Sequence, residues 1–306
     1  MNQRLIKLIK SAQRVLIVTH TDPDGDAFGS CCLCSALIRK LNPRAKIGIK
    51  LDPRHKSELN YFIQKHKTAN ITAPDLCISV DASNIERLYG LDKNQAVDIN
   101  IDHHVGNSNF GRLNIIEPKA ASCTLVIYKL LKQLKVKLTK ELAENLYLGL
   151  CSDTGNFSFA NTDTLAFSAA LDCAQTGLNT SLIFNKLNEQ LTQREIVDFA
   201  QALKSTESHC NGRLILALIP AGLKVDNRNL IDYIRREKNS EIAIVLVDKK
   251  DHIKLSLRSK SAIDVAKIAA KFNGGGHQRA AAGKIYKTTL AGAKEQTLKY
   301  FRENVF

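Results

Sequence analysis

A histidine and three aspartates lie close together in residues 20–27, just after the apolar run at residues 15–18. Asp24 and Asp26 flank a glycine, so an extended backbone would aim both carboxylates at the same side, where His20 can join them. Two carboxylates about 4 Å apart repel by about 4 kcal/mol at an effective dielectric of about 20, which a cation would relieve. An imidazole with carboxylates suits Mn²⁺, Zn²⁺ or Fe²⁺ better than Ca²⁺. The alternative is an acidic turn whose aspartates only cap backbone groups.

Acids and imidazoles also stand at the ends of three further segments. Asp81 ends an apolar run, the alternating segment that starts at Val97 ends on Asp102 and His103, and Asp153 follows a predicted helix. Capping would explain any one of these residues but explains all of them together poorly. We therefore predict a site for two metal ions, about 3.5–4 Å apart, that activates a water for in-line phosphoryl displacement. The predicted site comprises His20, Asp24, Asp26, Asp81, Asp102, His103 and Asp153.

A second group of candidate residues lies near the end of the chain. Residues 274–276 are three consecutive glycines, and His277 follows them. Backbone N–H groups of such a segment can approach an anion closely, and the histidine can add a hydrogen bond or a charge. Arg258, at the end of an alternating segment, can form a forked contact with phosphate. The alternatives are an ordinary glycine loop and a surface arginine.

Strands and helices that alternate along the first half of the chain must position the residues of the predicted metal site. The predicted elements are helices 3–12, 27–40, 56–66, 121–134 and 139–151 and strands 14–20, 45–51, 76–81 and 97–102. This alternation predicts a mainly parallel sheet with right-handed crossovers. Such sheets place their ligand sites outside the carboxyl ends of the strands, which is where the candidate ligands fall.

The pattern changes after residue 160. Three helices without a strand are predicted at 163–176, 179–188 and 193–206. A second α/β pattern follows, with strands 213–219, 241–248 and 252–258, a turn at 248–251, helices 227–237 and 263–271, and a final strand and helix ending near residue 302. We therefore predict an α/β protein with an N-terminal parallel-sheet domain at 1–187, a helical linker at 188–209 and a smaller C-terminal α/β domain at 210–306.

The composition is typical of a soluble globular protein. Of the 306 residues, 44% are hydrophobic and 24% are charged. No apolar run approaches the roughly 20 residues of a membrane span, and lysines interrupt the apolar residues at 1–7, so we expect no signal peptide and a cytoplasmic location. The eight cysteines are expected to be reduced, buried residues. The sequence has no GxxxxGKS/T phosphate loop. The net charge of +14 fits anionic substrates such as nucleotides or short RNA without establishing them.

Taken together, these motifs resemble the DHH phosphoesterase family with its DHH-associated C-terminal domain. In the first half of the chain the matching motifs are residues 20–30, Asp81, residues 102–104 and residues 152–155. In the second half they are residues 258–259, 264–266, 274–277 and 281–283. Asn273 stands where the family often has a further glycine. The resemblance spans nearly the whole chain and implies an active site in the cleft between the two domains.

The resemblance also implies a role for each residue. Two Mn²⁺ ions, for which Mg²⁺ or Co²⁺ could substitute, would be held by His20 and Asp24, by Asp26 and His103, and by Asp81 and Asp153, at least one of these last two bridging. Asp102 would orient a ligating histidine, and His104 would face the scissile phosphate and stabilise charge or protonate the leaving oxygen. The substrate's other nucleotide or phosphate would be bound by Arg258, Ser259, Gly274, Gly275, Gly276 and His277.

The activity implied by the resemblance is that of a metal-dependent phosphodiesterase and phosphatase. It would release 5′-mononucleotides from short RNA oligonucleotides and dephosphorylate 3′-phosphoadenosine 5′-phosphate, with no membrane partner. A close alternative is a phosphodiesterase for cyclic di-AMP or linear pApA, which the same metal centre would serve. A different alternative is a non-catalytic nucleotide or RNA sensor, against which the complete set of expected ligands argues. The sequence leaves open whether the chain forms a homodimer.

Overall fold

A computed structural model describes residues 3–54, 59–66, 69–92 and 95–306. The chain divides into two compact units, Met1–Gln190 and Leu191–Phe306. Within the described ranges, no helix is long and apolar enough to cross a membrane. All eight cysteines are free, and Cys210 is half-buried whereas the others are buried.

The first unit contains a parallel sheet of five strands. They are β1 (Arg14–Val18), β2 (Lys46–Lys50), β3 (Leu76–Val80), β4 (Ile99–Asp102) and β5 (Leu113–Ile116). Their order is β2-β1-β3-β4-β5, and every neighbouring pair is parallel, which confirms the predicted sheet. β5 was not predicted, because it is a four-residue edge strand in which only Leu113 is buried. A segment this short has little periodicity of its own.

The core α-helices of this unit pack on one face of the sheet, whereas Leu16, Val18 and Cys77 of the other face cluster with loop residues. In the described part of the unit the helices are α1 (Gln3–Ser11), α2 (Gly25–Leu41), α3 (Asn60–Ile63), α4 (Cys123–Gln133), α5 (Lys140–Thr154), α6 (Thr164–Gln175) and α7 (Thr180–Asn188). α2 packs against α4 and α5 and is buried over most of its length. A helix was predicted at 56–66. Within its described residues, 59–66, the α-helix is α3, and residues 55–58 lie outside the described residues. The predicted helix 139–151 runs on to Thr154, which places Asp153 in its last turn.

The second unit contains a mixed sheet of six strands. They are β6 (Glu207–His209), β7 (Leu214–Ile219), β8 (Ile242–Asp248), β9 (Ile253–Ser259), β10 (Gly275–His277) and β11 (Ala280–Ile285), in the order β10-β11-β9-β8-β7-β6. Only β7 and β8 are parallel. The helices are α8 (Gln193–Lys204), α9 (Asn227–Ile234), α10 (Val265–Lys271) and α11 (Leu290–Asn304). One face of the sheet packs against α10 and α11, and the other against α8 and α9.

Two strands of this sheet lie where none was predicted. Residues 207–209, the end of the predicted helical linker, form β6, and residues 275–277 form the edge strand β10. The predicted final strand is β11, which begins at Ala280. Glycine and alanine have low strand propensity, but their small side chains let β10 and β11 approach closely. A Cβ atom at Gly274 would collide with the backbone of Ala282.

Candidate metal centre

His20 stands just beyond the carboxyl end of β1. Its backbone forms an isolated bridge with Leu88, and its side chain is buried. Nδ1 lies 2.8 Å from the carbonyl oxygen of Thr21, which can only accept, so Nδ1 carries the ring proton. Nε2 is therefore free to act as a ligand, and it lies 3.6 Å from Oδ2 of Asp81. Burial lowers the pKa of His20, but Asp81 and Asp24 outweigh it and raise the pKa to about 9.

Asp24 and Asp26 belong to different parts of the centre. Asp24 is the N-cap of α2, and its Oδ1 accepts from the backbone N–H groups of Asp26 at 3.1 Å and Ala27 at 3.2 Å. The expectation that both aspartates lie on one extended backbone is wrong, because α2 begins at Gly25. The helical turn separates the carboxylates, so Asp24 groups with His20 and Asp81, whereas Asp26 groups elsewhere.

The carboxylate of Asp26 is fully buried at the N-terminus of α4. Its Oδ2 accepts from the backbone N–H of Cys123 at 2.6 Å, and its Oδ1 accepts from the backbone N–H and the hydroxyl of Thr124 at 2.9 and 2.8 Å. These donors include N–H groups that a helix leaves without intrahelical partners. Even so, burial and the nearby Asp153 and Asp81 raise the pKa of Asp26 well above its ordinary value.

His103 joins Asp26 and Asp153. Nδ1 of His103 lies 3.1 Å from the carbonyl oxygen of Ala120, so Nε2 again faces the acids as the ligand atom. Nε2 lies 3.0 Å from Oδ2 of Asp153 and 3.8 Å from Oδ2 of Asp26. Burial lowers the pKa of His103, but Asp153, Asp26 and Asp81 outweigh it and raise the pKa. Burial is also the main cause that raises the pKa of Asp153.

Asp81 lies beside both groups of ligands. It follows β3 with a φ of +54°, a left-handed conformation uncommon for residues other than glycine. Its Oδ2 faces His20, while its Oδ1 lies 3.6 Å from Nε2 of His103 and 3.8 Å from Nδ1 of His104. Asp81 is therefore the carboxylate placed to be shared.

The donor set fits two divalent cations. One group is His20, Asp24 and Asp81, the other is Asp26, His103 and Asp153, and the ligand atoms within each group lie within 4.8 Å of one another. Among the described residues, Oδ1 of Asp81 is buried without a hydrogen-bond partner. Buried polar atoms are rarely left unpaired, and carboxylates this close repel one another. A cation in each group would bind the unpaired ligand atom and would offset the repulsion between the carboxylates.

Asp102 contacts His104 and does not orient His103, a candidate ligand. Nδ1 of His104 lies 2.7 Å from Oδ1 of Asp102, and this hydrogen bond raises the pKa of His104. The expectation that Asp102 orients a ligating histidine is therefore wrong for His103, whose ring is oriented by the carbonyl of Ala120. Asp102 and His104 also lie near Asp81, within 4.8 Å of the neighbouring ligand atoms. Side-chain directions at the end of a strand decide this pairing, and sequence order does not reveal them.

Sequence reasoning missed two supporting residues of the first unit. Asn107 donates to the carboxylate of Asp102 at 2.6 Å. Asp52, fully buried after β2, accepts from the backbone N–H of Asp22 at 3.3 Å and from the Arg54 guanidinium at 2.6 Å, and so ties β2 to the loop that carries the first ligands. The hydrogen bond from Arg54 lowers the pKa of Asp52 to about 2. For Asp52 the available signal was an aspartate two residues after an apolar strand.

The C-terminal candidates assemble within the second unit. Arg258 pairs with Ala280, and Ala280 pairs with His277, so these residues form one row across β9, β11 and β10. The hydroxyl of Ser259 donates to the carbonyl of Ser261 at 3.0 Å. The glycines Gly274, Gly275 and Gly276 run along the outer side of β11.

Comparison with known proteins finds matches along most of the chain. The DHH family, N-terminal domain, matches residues 14–150, and the DHHA1 domain matches residues 220–305. A protein of Thermus thermophilus named bifunctional oligoribonuclease and PAP phosphatase NrnA is 30% identical over 301 residues, which are 95% of this chain and 90% of that protein.

Two solved structures show the same fold. An exopolyphosphatase-related protein from Bacteroides fragilis aligns with a TM-score of 0.86 at 21% identity and covers 98% of this chain and 96% of its own. RecJ from Thermus thermophilus, solved in complex with Mn²⁺, aligns with a TM-score of 0.58 at 14% identity and covers 98% of this chain and 54% of its own. At these identities the likeness concerns the fold alone.

Proposed function

Because the chain belongs to the DHH family, we propose that it is a two-metal phosphoesterase that hydrolyses short oligoribonucleotides to 5′-mononucleotides and dephosphorylates 3′-phosphoadenosine 5′-phosphate. The observation that carries the proposal is the pair of three-residue ligand groups that meet at Asp81. The Thermus relative, similar along nearly its whole length, carries both activities in its name.

The ligands of the two ions are proposed to be His20, Asp24 and Asp81 on one side and Asp26, His103 and Asp153 on the other. Nitrogen and carboxylate donors in this ratio suit Mn²⁺, the ion present in the RecJ structure, and they admit Mg²⁺ or Co²⁺. When bound, two such ions polarise the phosphate and lower the pKa of the attacking water. The chain's own contribution is to hold six ligands on elements that are already packed, so little has to be ordered when the ions bind.

His104 is proposed to protonate the leaving oxygen. Its Nδ1 is engaged by Asp102 at 2.7 Å, so Nε2 is the ring nitrogen left for a substrate. A buried carboxylate behind the ring stabilises the protonated form and fixes its orientation. Asp102 thus acts through His104.

The residues of the second unit are proposed to bind the rest of the substrate. Arg258, Ser259, Gly274, Gly275, Gly276 and His277 are the residues concerned. Arg258 supplies a guanidinium, and the glycine segment supplies backbone that has no side chains in the way. A cytoplasmic location is also proposed, because eight free cysteines suit a reducing compartment.

The experiment that tests the function is a hydrolysis panel with Mn²⁺ added. The substrates, at equal concentration, are a dinucleotide, a five-base RNA, a 24-base RNA, 3′-phosphoadenosine 5′-phosphate and cyclic di-AMP. Asp81→Asn is expected to lose more than about 100-fold in rate, since it removes the shared ligand. Asp251→Asn is the matched control, because the Asp251 side chain is 77% exposed and contacts His252 far along the chain from any ligand.

The proposed function predicts the fastest turnover for the shortest RNAs and for the bisphosphate. A strong preference for cyclic di-AMP would reject it in favour of second-messenger turnover. Inactivity on all five substrates, with two metal ions verified per chain, would reject catalysis and favour a nucleotide sensor.

A further inference from the structure

Val105 is the most exposed large apolar residue in the described part of the chain. It is 80% exposed, whereas the other exposed residues of this kind lie between 39% and 59%. It directly follows His104, the proposed proton donor, so the two Cα atoms are about 3.8 Å apart. An apolar side chain left in water forgoes free energy that a contact with a ligand would recover. Val105 is therefore an apolar group open to solvent beside the candidate metal centre.

Val105 and Gly106 occupy the two central positions of a β-turn. The backbone N–H of Asn107 donates to the carbonyl of His104 at 3.2 Å, which closes the turn. Turn centres favour Gly, Pro, Asn, Asp and Ser, and a β-branched apolar residue is not among them. A Cβ atom at Gly106 would meet no atom within 4 Å, so the turn stands clear of its surroundings. Local preference and packing thus leave the valine unexplained, and departures of this kind are expected at functional sites.

Hydrogen bonds on the far side of the turn hold it in place. The backbone N–H and the hydroxyl of Ser108 donate to the carbonyl of Ser83 at 2.9 and 3.3 Å. Nδ2 of Asn107 donates to the carbonyl of Ala82 at 3.0 Å. Ala82 and Ser83 directly follow Asp81, so these bonds tie the turn to the segment that carries the proposed shared ligand. A turn fixed in this way loses little conformational freedom when a ligand contacts it.

The proposed reactions define what lies next to His104. Release of a 5′-mononucleotide from RNA breaks the bond between phosphorus and a ribose 3′ oxygen, and so does removal of the 3′-phosphate from 3′-phosphoadenosine 5′-phosphate. The oxygen of a water bonds to phosphorus and one of its protons leaves to solvent. The electron pair of the broken bond stays on the 3′ oxygen, which takes a proton from Nε2 of His104. In both reactions the leaving group is therefore a ribose that carries a base.

We propose that Val105 packs against the base of the leaving nucleotide. The inference rests on the proposed function and names a residue of the first unit that favours nucleotides over small phosphate esters. Apolar side chains pack on the face of a base without reading its hydrogen-bonding groups, so the contact tolerates every base. Such tolerance suits an enzyme that hydrolyses short RNAs of mixed sequence.

The test compares two dinucleotides that differ only in the leaving residue. One is ApA, which releases adenosine, and the other has an abasic ribose in place of that adenosine. The scissile phosphate and the 3′ oxygen are the same in both, so the chemical reactivity of the bond is matched. With Mn²⁺ added, Val105→Ser is expected to lower kcat/KM about fivefold for ApA, mainly through a higher KM. The abasic substrate is expected to stay within about twofold of the wild type, since it has no base to lose.

Two further variants check the interpretation. Val105→Ile keeps the apolar surface and is expected to stay within about twofold of the wild type on both substrates. Leu171→Ser is the matched control for the loss of an exposed apolar side chain. Leu171 is 59% exposed on α6, where the neighbouring Asp172 contacts Tyr128 and Lys132 of α4. Serine is common at turn centres, so Val105→Ser is expected to fold, which its Tm checks.

Four results would overturn the contact. Equal kcat/KM values of the wild type for ApA and the abasic dinucleotide would show that no base is bound there. Equal losses on both substrates in Val105→Ser, or a fall in kcat at unchanged KM, would assign the effect to the orientation of His104. A similar loss in Leu171→Ser would assign it to a general change in the protein.

Binding separates this inference from the proposed function. If the wild type cleaves both dinucleotides but Val105→Ser keeps the wild-type ratio of kcat/KM values, the base contact is rejected and the function stands. If the wild type cleaves neither, the function is rejected, and calorimetry with a chelator present decides the contact. A loss of affinity for ApA alone in Val105→Ser supports the contact, whereas affinities equal to those of the wild type reject it.

Discussion

A hydrogen bond of 2.6 Å joins Nδ2 of Asn107 to Oδ2 of Asp102. The backbone determines the orientation of this amide, since Oδ1 accepts from the N–H of Asn109 at 2.7 Å and Nδ2 also donates to the carbonyl of Ala82 at 3.0 Å. The other oxygen of Asp102 is left for Nδ1 of His104. Asn107, a loop residue, therefore fixes the orientation of the Asp102 carboxylate, which in turn orients His104, the proposed proton donor.

Asn107→Ala is expected to lower kcat about tenfold with little change in KM. A hydrogen bond to a charged group contributes about 1.5–3 kcal/mol, and its loss would let Asp102 turn away from His104. Steady-state kinetics on a dinucleotide measure the effect.

Asn114→Ala is the control for that variant. The amide of Asn114 holds the same loop through the carbonyl oxygens of Asn109 and Gly111 but does not contact Asp102. Equal losses of kcat in both variants would assign the effect to the loop and not to Asp102.

Removal of a shared ligand should differ from removal of an unshared one. Asp81 lies beside both of the proposed histidine ligands, whereas Asp153 groups only with Asp26 and His103. We expect two Mn²⁺ per chain in the wild type, one in Asp153→Asn and close to none in Asp81→Asn, measured by elemental analysis after dialysis. A bound ion at 100 times its Kd stabilises the folded state by about 2.7 kcal/mol, so the Mn²⁺-induced rise in Tm should shrink in the same order. Identical stoichiometry in the two variants would contradict the sharing of Asp81.

Stability in acid should depend on Asp52. Its folded-state pKa of about 2 is below the ordinary value of 3.8, chiefly because Arg54 donates to it. A depressed carboxyl pKa contributes stability that is fully present above the unfolded value and is lost as the pH falls through the folded value. Wild-type stability should therefore fall more steeply than that of Asp52→Asn between about pH 4 and pH 2. Urea unfolding at several pH values measures this, and parallel curves would refute it.

Gly149→Ala should disturb the candidate metal centre by displacing the side chain of Asp26. A Cβ atom at Gly149 would lie 2.6 Å from Oδ1 of Asp26 and would collide with the side chain of Thr124. Overpacking of this kind costs about 1–3 kcal/mol, which exceeds the gain of up to about 1 kcal/mol in helix propensity. We expect lower stability in urea and weaker Mn²⁺ binding. Gly106→Ala is the control, since a Cβ there would meet no atom within 4 Å, and a similar loss in that variant would contradict the explanation.

Several features of the protein could be predicted from its sequence because they depend on short-range patterns. The order of strand, loop and helix at residues 14–41 and the parallel sheet follow from periodicity, and these elements are present. His20, Asp81 and Asp102 lie at strand ends, as the pattern indicates. Residue types and spacing thus determined which chemistry the chain can support and at which edge of the sheet.

Only the tertiary structure decided which of these groups contact one another. The partner of Asp102, the separation of Asp24 from Asp26 and the support from Asn107 depend on side-chain directions at helix and strand ends. The short strands β5, β6 and β10 exist because their neighbours pair with them, and their own residues show little pattern. Asp232 of α9 lies 3.8 Å from Nε of Arg258 on β9, a contact between residues distant in sequence that only packing can create. Local sequence specifies backbone elements, whereas contacts distant in sequence arise when those elements bury their apolar faces together.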